Sequence, residues 1–295
     1  MDFGSPHQSS PLNQSPAESA EARGKLEALR VFIRDLGSAL VCYSGGIDSA
    51  LVLAVAHEQL GSRALGVTAV SPSLAPRERS EAERFAKSIG AAHLFIDSNE
   101  LQRPGYTANG PDRCFHCKTE LYELTARELK PRALAHLLNG TNRDDLGDYR
   151  PGLEAASQAG VISPLAELGF SKQDIRAVSH LLGLEIWDKP ASACLSSRIP
   201  YGSAVTPQRL EQIAGFESDL KNLGFRQLRV RWHGKVARLE LALEELSRAA
   251  DSTVRDKIVE SGKRNGFQYI ALDLEGYRVG SHNEVLGLRS LPIVS

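Results

Sequence analysis

Between residue 25 and about residue 183, apolar positions fall into short continuous runs, each followed by a longer stretch of mixed character. ALVCY (39–43), ALGVTAV (64–70), AHLFID (92–97) and ALAHLLNGT (133–141) are the runs. Apolar runs this short, closed by turn residues, read as buried strands. The stretches between them read as helices. Residues 47–60 carry Leu51, Leu53, Ala54, Val55 and Leu60 up to a stop at Gly61, and PRERSEAERFAKSIG (76–90) is a charged helix. Strand and helix in alternation predict an α/β fold, a parallel sheet with helices on both faces. Ligands of such sheets bind at the carboxyl ends of the strands. SGGIDS (44–49), residues 68–71 and GTNRDD (140–145) all fall there.

The pattern changes after SACLSSRIPYG (192–202). Residues 206–224 look helical. RQLRVRWH (226–233) and KVARLELA (235–242) alternate as two strands around a His-Gly turn, a helix follows near 244–261, and FQYIALDL (267–274) is a third strand. This predicts a smaller α+β domain over 195–295, beside a first domain over 25–194. Residues 1–24 are rich in Ser, Pro, Gln and Asn and read as a disordered tail.

Charge and cysteine usage narrow the function classes. The 295 residues hold 35 Lys and Arg against 36 Asp and Glu, a net charge of −1, which argues against nucleic acid as an obligatory partner. No apolar run approaches the ~18 residues of a membrane span. The first residues lack the basic start and apolar core of a secretory signal, so a cytoplasmic, reducing location is expected. In that setting the four cysteines, Cys42, Cys114, Cys117 and Cys194, are expected as reactive groups or ligands rather than disulfides.

SGGIDS joins a strand to a helix through two glycines, and such a turn aims backbone N–H groups at an anion while the helix dipole adds a favourable field. Ser44, Gly45, Gly46, Asp48 and Ser49 are therefore candidate phosphate contacts, with Asp48 also a candidate magnesium ligand. A plain βα turn capped by Ser44 is the bland alternative. No Gly-Lys-Ser/Thr follows, so this is not a Walker loop, and the third glycine of a dinucleotide fingerprint is missing. The motif resembles the PP-loop of ATP pyrophosphatases, which cleave ATP to AMP and pyrophosphate while adenylating a substrate. Beside such a loop, Thr68, Gly140 and Thr141 become further candidates for the nucleotide site. Asp145, in a loop with Asn142, Asp144 and Asp148, becomes the carboxylate expected near magnesium or substrate.

Two further segments carry thiols. RCFHCK (113–118) has the C-x-x-C spacing of a metal or cluster site, without the second pair that zinc would need. Arg113, His116 and Lys118 are neighbours that favour thiolate. Cys194 sits among Ala and Ser, where a thiol can meet a substrate closely, and Arg198 is near enough in sequence to stabilise thiolate or phosphate. Cys42, inside ALVCY, reads as core. Arg229 and Arg231 lie two apart on a strand and so face one side, a candidate phosphate clamp, with Arg278 as a weaker candidate.

Taken in order, SGGIDS, RCFHCK, GTNRDD, KPASACLSSRIPYG, RVRWHG and GYRVGS resemble the ATP-dependent sulfur transferase family of lactate racemase maturation (LarE). That resemblance implies ATP and Mg2+ as cofactors and pyridinium-3,5-biscarboxylic acid mononucleotide as substrate. Each carboxylate would be adenylated and then converted to a thiocarboxylate on the way to a nickel-pincer nucleotide. It implies that Cys194 delivers sulfur, that Arg229 and Arg231 hold the substrate phosphate, and that the protein assembles as a hexamer. In the single-cysteine form of the family, the cysteine gives up its own sulfur. Cys114 and Cys117 depart from that form and resemble a three-cysteine branch, in which Cys114, Cys117 and Cys194 hold a [4Fe-4S] cluster fed by an external sulfur donor. Two alternatives stay open on the sequence: a PP-loop tRNA thiolase, and a non-catalytic nucleotide-binding or cluster-carrier protein.

Overall fold

A computed structural model describes residues 16–147, 151–190, 193–278 and 281, with side chains from residue 20 onward. Four strands, β1 (Ala39–Cys42), β2 (Ala64–Val70), β3 (His93–Asp97) and β4 (His136–Leu138), form a parallel sheet in the order β3-β2-β1-β4. β1 lies inside the sheet and all four of its residues are buried, which is why it reads as a continuous apolar run. Its side chains alternate between two cores. Ala39 and Val41 pack with α1 (Pro16–Leu36), α2 (Ile47–Leu60) and α8 (Lys172–Leu181). Leu40 and Cys42 pack on the other face with Tyr122 of α5 (Arg113–Leu129) and with Ala155 and Ala156 of α6 (Pro151–Gln158). The expected parallel α/β sheet is present, and Cys42 is core as expected.

One boundary of the sequence reading is corrected. α1 begins at Pro16, so residues 16–24 belong to a helix rather than to a tail. Ala22, Leu26, Leu29 and Ile33 are buried along one helical stripe, and that spacing, not the polar composition, decides the element. Residues 1–15 lie outside the described residues, as does Asp148.

The second sheet is the expected hairpin plus one strand. β5 (Leu228–His233) pairs antiparallel with β6 (Val236–Leu241), and β6 pairs parallel with β7 (Tyr269–Leu272). The hairpin turns at Gly234, whose φ of +66° a side chain would disfavour. One sheet face packs on α9 (Pro207–Asn222) and α11 (Ser252–Arg264) through Leu228, Val230, Leu239 and Leu241. Alternation puts Arg229, Arg231, Arg238 and Glu240 on the other face.

This second core is not closed by residues after 194 alone. Tyr106, from the short helix α4 (Pro104–Thr107), is buried within it beside Leu195, Ile199 and Val205, and Leu101 and Cys117 pack against it. The segment 101–117 thus joins the second core, as does the Cys194 segment through Leu195 and Ile199. Among the described residues no helix is long and apolar enough to cross a membrane.

Candidate active site

The carboxyl end of β1 runs directly into the glycine turn. Gly45 has φ +79°, and Gly46 is the N-cap of α2 with no side-chain cap. Ser44 does not cap the helix. Its N–H donates to Ser49 Oγ at 3.1 Å and its hydroxyl pairs with the same oxygen at 3.1 Å, while Ser49 Oγ donates to Gly46 O at 3.2 Å. The two serines brace the turn and leave the first-turn N–H groups to an anion. Asp48, in that first turn, pairs with Lys172 Nζ. The turn is held from the other side by Lys189, whose Nζ donates to Gly45 O at 2.9 Å and pairs with Glu81 at 3.0 Å.

The loop after β4 forms the adjoining wall. A Cβ on Gly140 would stand 2.5 Å from Ser49 N and 2.8 Å from Ser49 Cα, so only glycine lets this strand end touch the start of α2. Thr141 N donates to Asn139 Oδ1 at 3.0 Å. Asn142 Oδ1 accepts from the N–H groups of Asp144 and Asp145, and Asp145 Oδ2 accepts from Asn142 N at 3.1 Å, a reciprocal capping box. Asp145 is buried and closes its own turn, a structural job the sequence reading did not give it. Asn142 Nδ2, by contrast, is buried with no hydrogen-bond partner among the described residues. Thr68 has a structural job as well: its buried hydroxyl donates to Tyr43 O at 2.7 Å and meets His93 Nε2 at 2.8 Å, tying strands together.

The thiols come together from both halves of the chain. Cys114 and Cys194 are exposed and Cys117 is half-buried. Although Cys194 opens to solvent, protein crowds its sulfur, and that crowding opposes ionisation. The Arg113 guanidinium, the Ser196 hydroxyl donating to Sγ at 3.3 Å, Arg198 and the Ser197 backbone outweigh it and hold the thiol below its ordinary value. Arg113 also acts on Cys114. At Cys117 burial dominates: although Lys118 opposes the rise, Cys194, Glu100 and Cys114 add to it, and the thiol is pushed up to about 12. Each of the three thiols thus lies within the field of the others or of a shared cation. Among the described residues, no three His, Cys, Asp or Glu side chains stand within reach of one metal ion.

The Cys194 turn (194–198) is fastened on two sides. Leu195 N donates to Ser73 O at 3.1 Å, in the loop after β2, and Tyr106 OH bridges Ser196 Oγ at 2.8 Å and Ser73 Oγ. On the other side Arg231 Nη1 donates to Ser197 O at 2.7 Å. Arg198 holds the turn from within. Its guanidinium makes a buried pair with Glu217 at 2.8 and 3.2 Å and donates to Ala193 O, Cys194 O and Ser197 Oγ.

Arg198, Arg231 and Arg238 face one cleft, lined with them by Pro200, Tyr201, His233 and Ser281. Arg231 is held bidentate by Glu240 at 2.9 Å on both oxygens, and Arg238 bridges Glu240 and Asp273. Arg229 points under Tyr277, donating to its hydroxyl at 3.0 Å with the cation 4.5 Å from the ring centre. Burial, with Arg231 and Arg198 nearby, holds Arg229 below its ordinary value despite the opposing pull of Tyr277 and Glu240. Arg278 is not among the residues lining the cleft and pairs with Glu275 at 2.9 Å. Burial, then the Arg238 and Arg231 cations, likewise lowers the His233 imidazole below its ordinary value, against Glu240.

No family model matches the chain. It is 47% identical over 266 residues to an uncharacterized protein of Synechocystis sp., covering 89% of this chain and 98% of that one. It is 36% identical over 264 residues to the pyridinium-3,5-bisthiocarboxylic acid mononucleotide synthase of Lactiplantibacillus plantarum, covering 89% and 95%. The chain belongs to this synthase family, LarE. A tRNA-specific 2-thiouridylase, MnmA, of Rickettsia typhi matches at 26% over 196 residues, 53% of this chain and 54% of that enzyme. The LarE family lies within the PP-loop ATP pyrophosphatases, and the chain is an enzyme of that ATP-using superfamily.

Several groups of this candidate site were not found from the sequence. Lys172 and Lys189 each reach the PP-loop from more than a hundred residues away, and a lone lysine in a polar segment carries no periodic signal. Glu240 was findable: a hairpin turning at Gly234 sets Arg229 opposite Glu240 and Arg231 opposite Arg238.

Proposed function

We propose that this enzyme is an ATP-dependent sulfur transferase acting on pyridinium-3,5-biscarboxylic acid mononucleotide. The observation that carries the reading is the double fastening of the Cys194 turn. An exposed thiol with a lowered pKa is hydrogen-bonded through Leu195 to the strand-end loop beside the PP-loop, and through Ser197 to the arginine cleft.

The PP-loop N–H groups and the Asn142 Nδ2 donor suit the phosphates of ATP, and Asp48 is the group that would hold magnesium, which screens phosphate charge and orients it for attack. A substrate carboxylate oxygen attacks the α-phosphorus, the α–β bond breaks, and pyrophosphate leaves. The sulfur nucleophile then attacks the acyl carbon, and AMP departs as the C–O bond breaks, leaving a thiocarboxylate. The second carboxylate follows the same course. Arg231 and Arg238 in the cleft, with Arg229 behind Tyr277, are the cations for the mononucleotide phosphate. Arg198 supports the thiol turn, and Arg278 accepts from Arg229 through its backbone carbonyl.

Cys114, Cys117 and Cys194 are the residues that would hold an iron–sulfur cluster. An all-thiolate set suits that group, and with three protein ligands a [4Fe-4S] cluster keeps one iron open to an exogenous sulfide. The chain's own contribution is three thiols from two segments, with Arg113 favouring the ionised form of Cys194.

The test is turnover of anaerobically purified protein with ATP, magnesium, sulfide and the biscarboxylate. Repeated turnover with Cys194 intact by mass spectrometry, abolished in Cys114→Ser and Cys117→Ser, supports the reading. One product per protein, dehydroalanine at position 194 and indifferent Cys114 and Cys117 variants would make Cys194 the sacrificial donor instead.

A further inference from the structure

Asn109 is fully buried in the bend between α4 and α5, with a left-handed φ of +56°. Its side chain reaches across ninety residues of sequence. Nδ2 donates to Ile199 O at 3.2 Å, Pro200 O at 2.8 Å and Ser203 O at 2.9 Å. Oδ1 accepts from Arg113 Nη1 at 2.6 Å, and the same Arg113 nitrogen donates to Ser196 O at 3.0 Å. The backbone adds two more ties, Gly202 N to Asn109 O at 3.1 Å and Val205 N to Thr107 O at 2.9 Å. One side chain therefore joins the entry to the Cys114–Cys117 helix with the exit from the Cys194 turn.

Asparagine is suited to this place on two counts. It tolerates the left-handed region better than most side-chain-bearing residues. It also offers donors and an acceptor at once, and here the donors meet three carbonyls while the acceptor meets a guanidinium. Aspartate would set a second oxygen against those carbonyls, and alanine would remove all four bonds at once, leaving Arg113 only Ser196 O and Pro200 O only the Ser203 N–H.

We infer that Asn109 is a positioning residue for sulfur delivery: with Arg113 it fixes Cys194 against Cys114 and Cys117. This deepens the sulfur-transfer reading and rests on it. The requirement for such a rivet is geometric. Cys114 and Cys194 belong to segments eighty residues apart, and no strand pairing registers one against the other among the described residues. A misplacement of about 1 Å between reacting groups costs on the order of a hundredfold in rate.

The test variant is Asn109→Gly, which keeps the left-handed turn and removes only the side-chain bonds. Two readouts are taken on the full chain. The first is cross-linking of Cys194 to Cys114 or Cys117 by a short bis-methanethiosulfonate reagent, read by peptide mass spectrometry, and it needs no activity at all. The second compares pyrophosphate release with thiocarboxylate formation. The inference expects cross-linking to slow sharply and thiocarboxylate formation to fall about a hundredfold, with pyrophosphate release near wild type. Unchanged cross-linking would overturn it, as would a raised KM for the mononucleotide with kcat intact, which would assign Asn109 to the cleft wall at Pro200 and Tyr201. A parallel fall in both half-reactions with a lost folding transition would reduce Asn109 to a stability residue. If Asn109→Gly does not fold, Asn109→Asp is read in its place: it keeps the left-handed turn and the acceptor for Arg113 but sets an oxygen against the three carbonyls, so the same split is expected. If wild type cross-links and Asn109→Gly does not, the rivet stands even where no sulfur is transferred.

Discussion

Replacing Glu217 by leucine removes one half of a buried ion pair whose other half holds the reactive turn. Arg198 and Glu217 are 6% and 5% exposed, their two contacts are 2.8 and 3.2 Å, and Glu217 also accepts from Val230 N at 3.0 Å. Breaking a buried pair by removing one partner costs about 3–5 kcal/mol, because the remaining charge is left uncompensated. Arg198 keeps its bonds to Ala193 O, Cys194 O and Ser197 Oγ, so the lower end, about 3 kcal/mol, applies. In a chain of this size that corresponds to a Tm lowered by roughly 6–12 °C. Urea unfolding and thermal melts measure it. The double variant Arg198→Met with Glu217→Leu removes both charges, and much of the stability should return, since apolar replacement of a buried pair is often neutral. Sulfur transfer should not return, because the Cys194 turn has lost its guanidinium. A Glu217→Leu change under 1 kcal/mol, or a double variant with wild-type sulfur transfer, would refute the assignment of Arg198 as a scaffold for the turn.

Gly140→Ala forces a methyl to within 2.5 Å of backbone at Ser49, so ATP binding by calorimetry should weaken strongly, alongside about 1–3 kcal/mol of lost stability. Thr68→Val should lower stability by about 1–3 kcal/mol by orphaning Tyr43 O, while the KM for ATP stays put; a raised KM with unchanged stability would return Thr68 to the nucleotide site. Cys194, held below the ordinary thiol value, stays thiolate to lower pH than a free cysteine, so in iron-free protein its alkylation by iodoacetamide should persist as pH falls through the range where ordinary thiols stop reacting. Cys117, pushed up to about 12, should resist labelling through neutral pH, and Arg113→Met should move the Cys194 profile upward.

The sheet was legible because β1 and β2 are covered on both faces and so announce themselves as apolar runs, and because SGGIDS marks where the first of them ends. The start of α1 was hidden by composition: among the described side chains, Ala22 and Leu26 are its early apolar positions on the buried stripe, set among Ser, Glu and Arg. The site divided in the same way. Residues whose role follows from local geometry, such as Gly45 and Gly46, sit where the sequence put them. Contacts that come from a distant partner were missed. Arg198 gives no sign in the sequence of Glu217, which lies on another element, and Asn109, in an ordinary Asn-Gly turn, shows nothing of the three carbonyls it meets at residues 199, 200 and 203. Tertiary hydrogen bonds leave no period in a sequence.

The central claim, that this chain activates a carboxylate with ATP and replaces its oxygen by sulfur, is tested most directly by the mass of the product formed alongside pyrophosphate. With ATP, magnesium, sulfide and pyridinium-3,5-biscarboxylic acid mononucleotide, the account expects one pyrophosphate and one AMP for each oxygen replaced by sulfur, and neither product with Asp48→Ala. Pyrophosphate release without any sulfur-bearing product, or sulfur transferred to tRNA in place of the mononucleotide, would contradict it.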